Sequence, residues 1–235
     1  MTKLSTPDEQ NGVERELGFL SNRVQRRSFL KYAGAGAASI ALVAAGCKKD
    51  NDGTNGVYLG NGDIGILNYA YALEQLEAAF YIRVISSPYS GITATETSLL
   101  TDIRDHEVAH REFFKAVLGA QAISSLEVDF SSINFGSRDS VLATAKAFED
   151  LGVSAYNGAG TFIKDPGYLT LAGKIVSVEA RHAALIRDLI SNGTFADSTI
   201  IDMNGLDATR TPAQVLAIAK TYIKTAINIE GLPTA

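Results

Sequence analysis

The apolar positions of this chain recur with a helical period in four long stretches. From Gly65 to Ser86, Leu67, Ala70, Leu73, Leu76, Phe80 and Val84 return every three or four residues, the spacing that lines one face of a helix. Ser87-Pro88-Tyr89-Ser90-Gly91 stops the pattern. A second helix is predicted from about Ala94 to Leu118, ending at Gly119. A third runs from about Asp139 to Phe162, and a fourth from about Tyr168 to Ser191, stopped by Asn192-Gly193. Asp165-Pro166-Gly167 reads as the turn between them. Thr211-Pro212 opens a last short helix, with threonine as cap and proline in the first turn, that ends near Glu230-Gly231.

The connections set the architecture. Only a few residues join the first helix to the second, and the third to the fourth, so each pair must be antiparallel. Between the pairs lies Ala120 to Arg138, whose Leu126, Val128, Phe130 and Ile133 predict an extended stretch packed along the bundle. One long and two short connections make the ferritin-like topology. The expected fold is all-α: a four-helix bundle over residues 63–192, a long crossover between its second and third helices, and an extension over 193–235 with one short helix. In the extension, Val215, Ile218, Tyr222 and Ile223 are expected to cover one end or side of the bundle.

Each long helix carries carboxylates inside its apolar pattern. The first has Glu74, with Glu77 as its competitor one turn on. The second has Glu107-Val108-Ala109-His110, the third Glu149, and the fourth Glu179-Ala180-Arg181-His182. Residues three apart share a helix face, so Glu and His of each Glu-x-x-His motif can approach one ion from adjacent levels. Four glutamates and two histidines, with one Glu-x-x-His on each of two helices, form the di-iron carboxylate pattern. Two divalent cations balance four carboxylates and relieve the cost of burying like charges. Carboxylate and imidazole ligands suit iron, manganese or zinc, and the lack of thiolates argues against copper(I) or an iron–sulfur cluster.

The layout repeats within the chain. Glu74 and Tyr81 are seven residues apart, as are Glu149 and Tyr156, and Glu107/His110 answers to Glu179/His182. Two helix pairs with one layout imply a metal site with approximate twofold symmetry. The repeat also favours Glu74 over Glu77, whose counterpart is Gly152. His106, the third of three histidines, is expected to face solvent or to stand behind the ligands. Asp105, Glu112 and Asp150 are expected on outer faces, in helix-surface pairs.

Leu73-Glu74-Gln75-Leu76-Glu77-Ala78-Ala79-Phe80-Tyr81 and Glu149-Asp150-Leu151-Gly152-Val153-Ser154-Ala155-Tyr156 resemble the ferritin-like family, which includes bacterioferritins and rubrerythrins, and within it the desiccation-related proteins. The resemblance covers about Asp63 to Ser191. It implies that Glu74 and Glu149 are terminal ligands, that Glu107 and Glu179 bridge two metals, and that His110 and His182 bind one each. It places Tyr81 and Tyr156 near the centre as hydrogen-bond or radical partners. The chain departs from bacterioferritin-like sites just before each Glu-x-x-His motif. An aspartate there often supports the opposite histidine, whereas this chain has His106 and Val178. A tethered chain is also poorly suited to the closed shell that ferritin storage needs.

The N-terminus changes the setting. Gln25-Arg26-Arg27-Ser28-Phe29-Leu30-Lys31 precedes an Ala- and Gly-rich apolar run, Tyr32 to Gly46, that is too short for a comfortable membrane span of about 20 residues. Paired arginines, an apolar core and small residues match a twin-arginine export signal. Ala44-Ala45-Gly46-Cys47 resembles a lipoprotein cleavage box, with alanine where leucine is usual. Residues 1–46 are thus expected as signal, Cys47 as the lipidated residue and 47–62 as a flexible spacer; the competing reading is a helical anchor that is never removed. Cys47 is the only cysteine, so an intrachain disulfide is excluded. The net charge of -5 gives no basis for binding nucleic acid.

Together these features predict an exported protein of the periplasm or cell surface, held to the membrane through Cys47 and able to form a homo-oligomer. It would hold two metal ions, iron first, and oxidise Fe(II) or reduce O2 or a peroxide. The alternatives are a bundle that metal merely staples together, and a manganese catalase-like activity. Twin-arginine export carries folded proteins, so metal could be loaded inside the cell.

Overall fold

The computed structural model describes residues 56–233. The export segment, Cys47 and most of the expected spacer lie outside that range. Among the described residues the bundle helices are α1 (Gly62–Ser86), α2 (Ala94–Leu118), α3 (Arg138–Gly160) and α4 (Pro166–Ile190). A short α5 (Pro212–Ala219) follows, with strands β1 (Val57–Tyr58) and β2 (Ile227–Asn228) and a 3-10 turn at Gly119–Gln121. α1 packs chiefly on α2, and α3 on α4.

The helix starts are written in local chemistry. Thr93 and Glu96 form a reciprocal capping box at α2, with Glu96 N donating to Thr93 Oγ1 (3.1 Å) and Thr93 N to Glu96 Oε2 (3.0 Å). Asp165 caps α4 by accepting from Gly167 N (2.7 Å) and Tyr168 N (3.0 Å), with Pro166 in the first turn. Asp165-Pro166-Gly167 is therefore the start of α4 as well as the end of a turn. Such caps satisfy backbone donors that have no partner inside the helix.

The long crossover is fixed to α1 along its length. Asn68, buried, donates to the carbonyls of Leu59 (3.0 Å) and Gln121 (2.9 Å) and accepts from Ile123 N (2.9 Å). Two turns on, Gln75 Oε1 accepts from Leu126 N (2.8 Å). Further along, Phe80 meets Phe130 and Phe135, with ring centroids 6.0 and 5.9 Å apart. Contacts that advance together along both segments show the crossover running parallel to α1. It carries the chain back to the end where α2 begins, and Arg138 at the start of α3 pairs with Glu96 at the start of α2 (2.6 Å). At the other end, Lys164 N and Asp165 N donate to the carboxylate of Asp63 on α1 (2.9 and 2.8 Å).

Four expectations are corrected. The end of the expected spacer is ordered, since β1 pairs in parallel with β2 and Leu59 is fully buried. That pairing joins segments 170 residues apart, which no local pattern reveals. The last helix ends at Ala219 rather than near Glu230; the chain then forms backbone bonds to the crossover, Lys224 N to Glu127 O (2.7 Å) and Asp129 N to Tyr222 O (2.8 Å). Val215 and Ile223 are buried and Tyr222 packs edge-on against Phe148 (4.8 Å), but Ile218 is exposed. Asp150 is not in a surface pair within its own helix: it makes a two-pronged bond across to Arg187 of α4 (2.8 and 2.6 Å). Among the described residues no helix is long and apolar enough to cross a membrane.

Candidate metal centre

Helical periodicity turns Glu74, Glu107, Glu149 and Glu179 toward the bundle axis, where each is essentially fully buried. His110 and His182, one turn beyond Glu107 and Glu179, follow them inward. The structure brings these six into two groups whose ligand atoms lie within 4.8 Å of one another. One group is Glu74, Glu107, His110 and Glu179; the other is Glu107, Glu149, Glu179 and His182. Glu107 and Glu179 belong to both.

Both imidazoles aim Nδ1 at the centre. His110 Nδ1 lies 2.7 Å from Glu179, 3.5 Å from Glu74 and 3.8 Å from Glu107. His182 Nδ1 lies 2.8 Å from Glu107, 3.1 Å from Glu179 and 3.6 Å from Glu149. Several of these contacts are close without being directed as hydrogen bonds. Glu74 Oε2, both oxygens of Glu107, Glu149 Oε2, Glu179 Oε1 and His110 Nδ1 are buried without a hydrogen-bond partner. Buried polar atoms normally find partners. A convergent set of carboxylate oxygens and imidazole nitrogens left over in this way fits metal coordination, and its donors suit iron, manganese or zinc.

The carboxylates of Glu74 and Glu149 are held from behind. Tyr81 of α1 donates to Glu149 Oε1 on α3, and Tyr156 of α3 donates to Glu74 Oε1 on α1, each at 2.5 Å. In both, the tyrosine occupies one oxygen and leaves the other facing the centre. Burial, then the adjacent carboxylates, push both phenols well above their ordinary pKa, so they remain donors.

Protons compete for the same atoms. Burial opposes charge on His110 and His182, yet the close carboxylates of Glu107, of Glu179 or Glu149, and of their remaining acidic neighbours outweigh it and push both pKa values up to about 12. Burial, then the charge of Glu179, raises Glu74 and Glu107; burial also raises Glu149. For Glu179 burial is outweighed by the adjacent imidazoles of His110 and His182, which hold it below the usual carboxylate range.

Two neighbours matter more than the sequence motifs suggest. Glu77 is buried beside the centre but outside both groups of converging atoms. A Cβ added at Gly152 would meet Glu77 Oε1 at 3.1 Å, so the glycine in the second repeat makes room for the carboxylate in the first. Burial, then Glu107, raises Glu77 well above the usual carboxylate range. His106 is exposed, but its Nδ1 lies 2.9 Å from His182 Nε2. Burial of part of its ring, then the positive His182 and His110, lower its pKa. An exposed histidine beside a ligand motif signals this role only through its place one residue before Glu107.

Beside Tyr156 an apolar cavity of about 20 Å³ is lined by Leu73, Phe114, Ala155 and Ala172 among others. A water-sized molecule needs about 10–15 Å³ by this measure.

A four-helix bundle that gathers four buried carboxylates and two imidazoles at one centre fits the di-metal carboxylate class of proteins. A family model described as a ferritin-like domain matches residues 62–192, more than half of the chain, and the chain belongs to that family. No curated protein matches it.

Proposed function

We propose that this chain holds two metal ions, iron in preference to manganese or zinc, and uses them to oxidise Fe(II) or to reduce O2 or a peroxide. The observation that carries the reading is the membership of Glu107 and Glu179 in both ligand groups. In this reading they bridge, Glu74 and His110 complete one metal position, and Glu149 and His182 the other. Two redox-active ions held by these residues would supply electrons and a paired Lewis acid to one small molecule.

The residues around the centre serve that chemistry. Tyr81 and Tyr156 orient the terminal carboxylates and keep their outer oxygens bonded. The apolar cavity against Tyr156 suits a small uncharged molecule and favours turnover over a purely structural metal. Arg26-Arg27, the apolar run after it and Ala44-Ala45-Gly46-Cys47 support export and a lipid anchor on Cys47. Replacing Cys47 with serine should release the protein from membranes.

The test is to load the purified protein with Fe(II) anaerobically, then admit O2 or peroxide and follow its absorption. Two irons per chain that oxidise and can be reduced again support the proposal. Two manganese ions with peroxide dismutation move it to catalase-like chemistry. Tight zinc, or iron that stays unreactive in a folded bundle, replaces it with the structural reading.

A further inference from the structure

The two halves of the centre are not equivalent, and one difference lies just before the two Glu-x-x-His motifs. His182 presents Nδ1 to Glu107, Glu149 and Glu179 and turns Nε2 outward. Nε2 meets Nδ1 of His106 at 2.9 Å. The ring planes differ by 8° and the centroids are 5.2 Å apart. That separation exceeds the N···N distance by about one ring diameter, so the rings lie end to end rather than face to face. The imidazole lone pair and the N–H both lie in the ring plane, so this hydrogen bond is well directed.

The other half has no such support. The repeat places Val178 where His106 stands, one residue before the second Glu-x-x-His. Valine has no polar atom to offer. His110 is correspondingly more open, with 13 % of its side chain exposed against 5 % for His182.

We propose that His106 is a positioning residue for His182: by accepting its Nε2–H, it fixes the ring with Nδ1 toward the centre and makes the Glu149/His182 position the tighter of two unequal metal positions. The inference rests on the di-metal reading above. Its physical content is that a metal-bound histidine is oriented, and made a better donor, by the group that accepts its other N–H. Such support typically changes metal affinity about 10–100-fold.

Titration with Co(II) under anaerobic conditions, followed by visible absorption and calorimetry, tests it. The wild-type protein should fill in two resolved steps. His106→Leu, at an exposed position where folding can be checked by circular dichroism, should weaken the tighter step about 10–100-fold and leave the weaker one unchanged. His106→Gln, whose amide oxygen can accept the same hydrogen bond, should restore most of the loss. A wild-type chain that takes up two ions, with a His106→Leu isotherm and spectrum unchanged, overturns this inference alone. Equal losses from His106→Leu and His106→Gln also overturn it, because the effect is then not the hydrogen bond. A wild-type chain that binds no metal overturns the reading beneath it as well.

Discussion

Tyr81 and Tyr156 each direct one hydrogen bond to a buried carboxylate that comes from the other helix pair. Removing either hydroxyl leaves a buried oxygen without its donor, a loss of about 1–3 kcal/mol. Tyr156→Phe should therefore lower the urea midpoint and weaken metal binding at the Glu74 side; an unchanged midpoint and affinity would show that Glu74 does not need the phenol. Gly152→Ala should crowd the Glu77 carboxylate, which must shift by a few tenths of an ångström, and a perturbed metal spectrum with little change in stability is the expected result. Binding also has a pH dependence with a definite sign. A ligating imidazole must be neutral, while both histidines otherwise hold protons up to about pH 12. Metal uptake at neutral pH should release protons, and affinity should fall as pH falls; calorimetry in buffers of different ionisation enthalpy reads both. At this scale the convergence of the six residues was legible, because three-residue spacing dictates a shared helix face. The His106–His182 bond and the burial of Glu77 were not. They depend on how far one helix face turns toward its neighbour, which residue spacing within one helix does not encode.

The helices themselves were legible because their apolar periods are long and their breakers strong. Their boundaries were read less well: Asp165 caps α4 from within what reads as a turn, and α5 stops at Ala219 although apolar residues continue. Beyond Ala219 the chain's hydrogen bonds go to the crossover instead of back along a helix. That partner lies 97 residues away at the Lys224–Glu127 contact. The crossover's apolar residues announced that it would pack, but not what would fix its direction. Asn68 does this with three bonds at one end. Asn68→Leu leaves the carbonyls of Leu59 and Gln121 and the amide of Ile123 without that partner. Hydrogen exchange should rise at Ile123 and through the crossover while the centres of α1 and α2 stay protected; uniform exchange through all four helices would mean that the crossover is not a separate unit.

For the molecule as a whole, the C-terminal extension is part of the folded body. Arg210 donates to Ser154 Oγ (2.6 Å), its backbone N–H bonds to Ser154 O (3.0 Å), and its carbonyl lies so close to Gly158 that no Cβ fits there. Gly158→Ala should therefore loosen residues 193–233 to limited proteolysis before it unfolds the bundle. The larger balance is electrostatic. Four buried glutamates around one centre repel one another, and two divalent cations bound among them would offset that charge and hold both helix pairs together. The most direct test is the metal content per chain of the purified protein and of Glu107→Gln, with circular dichroism as the control for folding. Two ions per chain are expected in the wild type, with impaired binding at both positions in the variant, because Glu107 belongs to both ligand groups. One ion or none in a fully folded wild type, or two ions held as tightly after the substitution, would contradict a shared di-metal centre.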